Sequence, residues 1–125
     1  MGLLDALTGN ATEAASEKLH AELKPVLVEG ETILRAFKTV RDLFVFTEQR
    51  LILIDKQGLT GKKVEYLSLP YRSITRFAVE TGGTFDRDAE LRIWISGDPH
   101  PLEREIRKGA DILGVQRTLA EHVLR

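Results

Sequence analysis

Three histidines, four serines and one alternating acidic run are the residues whose chemistry could make this chain a catalyst or a metal site. His20, His100 and His122 have no metal-ligand spacing to one another, and each suits a solvated or locally hydrogen-bonded imidazole. Asp86, Asp88 and Glu90 alternate after Gly82 and Gly83, and carboxylates so placed can hold a hard cation. The glycine and terminal glutamate of a calcium loop are missing, however, and Arg87 sits among the acids, so a charged, water-facing turn fits better. Ser16, Ser68, Ser73 and Ser96 lie in no G-x-S-x-G elbow, and no histidine and acid are placed to activate them. "GLTGKK" (58–63) comes nearest to a phosphate loop, but Gly58 and Gly61 are three apart and Lys63 stands where a magnesium-binding Ser or Thr belongs. A hairpin turn accounts for both glycines. The chain has no cysteine, which excludes disulfides, zinc thiolates and a cysteine nucleophile. The expectation is a protein with no enzymatic activity, no cofactor and no metal.

The elements that would position any site follow from length and pattern. A chain of 125 residues can bury roughly two-thirds of its unfolded surface as one core. Charged residues make up 30% but nearly cancel, leaving a net charge of -1, without the basic excess of a nucleic-acid binder. No run approaches the ~20 apolar residues of a membrane span. "MGLLDALTGN" lacks the basic flank of a secretory signal, and Ala6 stands where a myristoylation motif wants Ser or Thr. A soluble, cytoplasmic protein is expected.

Residues 1–30 read as a helical arm and 31–125 as the main domain. Leu3, Leu4 and Leu7 form a short apolar stripe. Asn10 and Glu13 resemble a capping box, after which Ala15, Leu19 and Leu23 share one helical face until Pro25. Turn signals every eight to twelve residues then separate seven expected strands, at 32–40, 42–47, 50–56, 63–69, 74–81, 89–96 and 101–107. Residues 110–125 return to helical spacing, with Ile112, Val115, Leu119 and Val123 on one face. Gly114 there is expected to cost ~1 kcal/mol relative to alanine.

"VRDLFVFTEQRLILIDKQGLTGKKVEYLSLPYRSITRFAVETGGTFDRDAELRIWISG" (40–97) resembles the bacterial pleckstrin-homology domain family, as do the arm before it and the helix after it. The resemblance implies a mainly β fold: a seven-stranded open sandwich of two orthogonal sheets, capped by a C-terminal helix. It also implies ring-shaped homo-oligomers, and it does not imply a catalytic activity.

The hairpin at 42–56 poses a physical problem of its own. An even-length turn at 47–50 sets Phe46 opposite Leu51 and Phe44 opposite Leu53 on one face, with Val45–Ile52 and Leu43–Ile54 on the other. Each face carries four large apolar side chains worth ~1.5–3 kcal/mol apiece when buried. Leaving either face wet would forfeit an amount comparable with the ~5–15 kcal/mol net stability of a domain. One face belongs to the sandwich core. The other must be covered by the N-terminal arm or by a neighbouring subunit. Phe44, Phe46, Leu51 and Leu53, together with Trp94, are the candidate oligomer interface.

Lipid binding is the alternative. The first connection, "TVRD" (39–42), is too short for a headgroup pocket, but Lys56, Lys62 and Lys63 flank the next hairpin and could each add about 1 kcal/mol toward an anionic surface. Protein binding, with an extended peptide added at a sheet edge beside the C-terminal helix, is the leading expectation. The functional reading is a non-catalytic binding or assembly module, a homo-oligomeric ring with an unidentified protein or peptide partner. Its alternative is a peripheral binder of anionic lipid headgroups.

Overall fold

The apolar runs on either side of Thr47–Arg50 fold back on one another as antiparallel strands β2 (Asp42–Thr47) and β3 (Arg50–Gln57) in the computed structural model, which describes residues 13–38, 42–57, 63–83, 88–107 and 111–125. Phe46 pairs with Leu51, Val45 with Ile52, Phe44 with Leu53 and Leu43 with Ile54, the register that the turn and the apolar parity dictate. β1 (Ile33–Lys38) and β4 (Lys63–Pro70) flank the pair and complete a four-stranded antiparallel sheet in the order β1-β2-β3-β4. A 3-10 turn at Tyr71–Ser73 leads to the second sheet, β5 (Ile74–Thr81), β6 (Ala89–Ile95) and β7 (Leu102–Ile106), ordered β5-β6-β7. Helix α1 (Glu13–Leu23) precedes the strands and α2 (Ile112–Val123) follows them. The fold is the expected seven-stranded β-sandwich with a helix at each end of the chain. The stripe Leu3, Leu4 and Leu7 lies outside the described residues.

Period-two burial on the strands builds the core between the sheets. From the first sheet come Phe37, Phe44, Phe46, Leu51, Leu53 and Leu69; from the second, Leu91, Ile93 and Ile106. Phe37 and Phe46 meet edge to face, with ring centroids 5.8 Å apart. Ile112, Val115 and Leu119 close this core from α2, three positions of the face expected from their spacing. Arg104 on β7 reaches across to Asp42 at the start of β2, with N and O 3.8 Å apart, so an ion pair links the two sheets.

Gly114 reverses an expectation. Asp111 caps α2 by accepting from the Gly114 N–H at 2.9 Å. A Cβ on Gly114 would stand 2.3 Å from that same carboxylate and 2.8 Å from the Phe37 ring. Glycine therefore lets the first turn of α2 approach β1 closely, and Arg35 adds to this junction by lying 4.0 Å from Asp111 and over the Phe37 ring. Gly114→Ala, which in an open helix would gain about 0.5–1 kcal/mol, is expected to lose ~1–3 kcal/mol here. Chemical denaturation of the two proteins side by side checks the sign.

Candidate functional site

The outer face of the first sheet is as dry as its core face. Leu43, Val45, Ile52 and Ile54 are buried, and what buries them is the chain's own arm. Leu19 and Leu23, one helical turn apart on α1, lie on these four side chains, joined by Val26 and Leu27 from the turn that follows and by Ile33 and Ala36 of β1. Of the two covers open to the sequence, the structure has the one in cis.

That turn is clasped to the sheet by a buried ion pair. The Glu31 side chain is fully buried, and Arg50 is mostly so. Arg50 donates from Nε to Glu31 Oε2 and from Nη2 to Glu31 Oε1, both at 2.9 Å, a two-pronged pairing that suits a guanidinium and a carboxylate. The Thr47 hydroxyl donates to Oε2 at 2.6 Å, and the Val28 N–H donates to Oε1 at 3.0 Å. Arg50 also donates to the Val26 carbonyl at 2.8 Å and, from Nη1, to Ser68 Oγ on β4 at 2.9 Å. One guanidinium thus touches the arm's turn, the hairpin and the edge strand. Hydrogen bonding from Arg50, reinforced by Thr47 and Val28 against the opposing effect of burial, lowers the Glu31 pKa from 4.5 to about 2.

Around the clasp the remaining polar groups are also matched. Thr47 Oγ1 accepts from the backbone N–H of Gln49 and of Arg50, which fixes the β2–β3 turn. Glu48 accepts from the Thr32 N–H and hydroxyl, which holds its pKa below the usual carboxylate range. Tyr71 donates to the Thr47 carbonyl at 2.6 Å. Burial first, and then the Glu48 and Glu31 charges, push the phenol pKa upward. His122 stacks on Tyr71 at 4.6 Å and bonds through Nδ1 to the Thr118 carbonyl, so that nitrogen carries the proton. It is a locally bonded imidazole, as the sequence suggested, while His20 and His100 are exposed.

The residues proposed from sequence as an interface divide. Phe44, Phe46, Leu51 and Leu53 are at most 1% exposed and point between the two sheets. They have no surface to offer a second copy, which corrects the assignment of the faces. The rings face inward because they must reach the second sheet and α2, whereas among the described residues the outer face meets two leucines of α1, the turn after it and two residues of β1. Trp94 is half-buried on the outer side of the second sheet, with the Arg76 guanidinium 4.4 Å from its ring centroid. Lys63 is exposed at the start of β4; Lys62 and the Lys56 side chain lie outside the described residues. So does Asp86, and Glu90 is committed to Arg92, which also binds Glu80. Among the described residues no group of three or more His, Asp or Glu could hold a metal ion. No described helix is long and apolar enough to cross a membrane.

On the first sheet, what stays exposed and apolar among the described residues lies at its edges. Among the described residues β4 pairs with β3 alone, and its outward-facing Val64 and Tyr66 are 36% and 48% exposed. Across the sheet on the other edge strand, Leu34 is 49% exposed at a bulge in β1. The sequence reading passed over Glu31, Thr47, Arg50 and Tyr66. The polar break "TEQR" in the hairpin's apolar run was the signal for Thr47 and Arg50, and Glu31 had none.

Comparison with known proteins adds four findings. Residues 2–123 match the family model described as the bacterial PH domain. The uncharacterized protein YjqA of Bacillus subtilis (strain 168) is 52% identical over 121 residues, spanning 96% of this chain and 97% of the relative. A crystallised pleckstrin homology domain from Shewanella amazonensis SB2B is 58% identical with a TM-score of 0.84, over 99% of this chain and all of the other. A DUF1696-family protein with a pleckstrin-homology domain from Shewanella loihica PV-4 is 54% identical with a TM-score of 0.74, over 86% of this chain and 92% of the other.

The clasp sets a pH dependence. Because folding depresses the Glu31 pKa, its contribution is complete above the ordinary carboxylate value of 4.5 and is lost as pH falls toward about 2. Glu31→Gln is therefore expected to flatten the acid limb of the stability–pH profile below pH ~4.5, while lowering stability at neutral pH by about 3–5 kcal/mol through the unpaired Arg50. Urea titrations from pH 2 to 7 on both proteins measure the two effects.

Proposed function

The chain belongs to the bacterial PH-domain family, whose membership marks it as a protein or lipid interaction module, and from that premise we propose that it is a non-catalytic assembly module that binds protein as a homo-oligomer. The observation that carries this reading is the β4 edge, where Val64 and Tyr66 stand exposed on a strand that has one partner among the described residues. An unpaired edge with apolar flanking side chains is a template for another chain.

A cyclic assembly needs two different patches that meet around the rotation. The Val64–Tyr66 strip supplies one. Trp94 under Arg76, on the opposite sheet, supplies the other, an aromatic and an arginine of the kinds enriched at interfaces. A second edge, β5, lies beside α2 and suits an extended peptide as the outside partner. The anionic-lipid reading rests on Lys56, Lys62 and Lys63, which on a chain of net charge -1 would add only about 1 kcal/mol each toward an anionic surface.

Light scattering over a concentration series is expected to give a multimer for the native chain. Tyr66→Asp should raise its dissociation constant at least ~10-fold, consistent with losing an interface tyrosine, with the melting temperature unchanged. A native chain that stays monomeric throughout contradicts the reading. Salt-sensitive cosedimentation with anionic vesicles would transfer it to lipid.

A further inference from the structure

The described residues form two apolar clusters with no member in common. The larger lies between the sheets and includes α2. The smaller holds only the outer face of the first sheet, Leu19 and Leu23 of α1, the turn after it and two residues of β1. Taking α1 away would leave the larger cluster intact.

α1 itself has little to hold it. Glu17, Lys18, His20, Ala21, Glu22 and Lys24 face water, so Leu19 and Leu23 are its buried side chains between residues 17 and 24. At 11 residues it is shorter than the ~12–15 at which an isolated helix is even marginal in water. Detached from the sheet, it melts. The turn behind it ends at Gly30, whose φ of +85° suits glycine and marks a sharp change of direction before β1. Val26 and Val28 of that turn are tied down by Arg50 and Glu31.

We propose that α1 and the turn to Gly30 form a strap that opens as a unit of its own, baring Leu43, Val45, Ile52 and Ile54 while the sandwich stays folded, and that the Glu31–Arg50 pair is its clasp. The fold then has a covered and a bare state of one sheet face. Val64 and Tyr66 project from the same side of this sheet, Tyr66 directly opposite Ile54, but belong to neither cluster, so the strap's opening is read from exchange and not from assembly.

Hydrogen exchange followed by mass spectrometry on the full chain tests it. In the native protein, amides of residues 17–28 are expected to exchange at least ~10-fold faster than those of β2, β3 and β6, as for a unit that opens below the global free energy. Glu31→Gln should speed the strap amides on the order of 100-fold, and the strand amides by a like factor, because global unfolding also opens the strap. Ile93→Val, a mild cut confined to the larger cluster, supplies the selectivity: strand amides should speed about 3–10-fold while the strap amides change less than ~2-fold. Strap and strand amides that lose protection in step in Ile93→Val would overturn the proposal. So would strap amides as slow as the strands in the native chain.

Discussion

A carboxylate and a guanidinium that both leave water must find one another, and the meeting of Glu31 with Arg50 constrains everything on the outer side of the first sheet. Glu31 ends the turn that follows α1; Arg50 begins β3, nineteen residues away. Their pairing sets where the arm comes down, because Arg50 also binds the Val26 carbonyl and Glu31 also binds the Val28 N–H. It sets the hairpin too, since Thr47 donates to Glu31 while accepting from the turn's backbone. Such a pair does not itself add much stability once both desolvation costs are counted. Its value is positional: any other docking of the arm leaves a buried charge without its partner.

The result is a three-layered domain in which one sheet has two dry faces. Phenylalanines and leucines fill the space toward the second sheet and α2, and leucine, valine and isoleucines meet the arm on the other side. Hydrophobic burial supplies the driving force in both layers, but with different redundancy. The inner layer draws on both sheets and a helix. The outer one depends on two leucines and a clasped turn. A perturbation of the same size therefore has unequal consequences in the two layers.

Much of this was legible in the residues. Turn spacing located the strands to within one or two residues, and the polar break at 47–50 with the apolar parity around it gave the hairpin register. Two things were not legible. Both hairpin faces carry four large apolar side chains, so composition could not say which turns inward; that is decided by the second sheet, whose strands lie some forty residues downstream. Nor could Glu31 be told from the surface glutamates of a highly charged chain, since only the folded turn brings it to Arg50. Gly114 misled in the opposite direction. It looks like a helix defect until Phe37 and Asp111 are seen pressed against it. What stays open on the two sheets after this burial is modest, chiefly an apolar strip on one edge strand and a half-buried tryptophan on the other sheet.

The central claim is that the hairpin's second face is covered by the arm of the same chain. Methyl-resolved nuclear Overhauser spectra test it directly when isotope-labelled protein is diluted, through unfolding and refolding, with a large excess of unlabelled protein. Cross-peaks from Leu19 and Leu23 to Val45 and Ile52 should keep their intensity per labelled chain at every dilution. Cross-peaks that fade in proportion to the unlabelled fraction would mean that the covering arm comes from a neighbour.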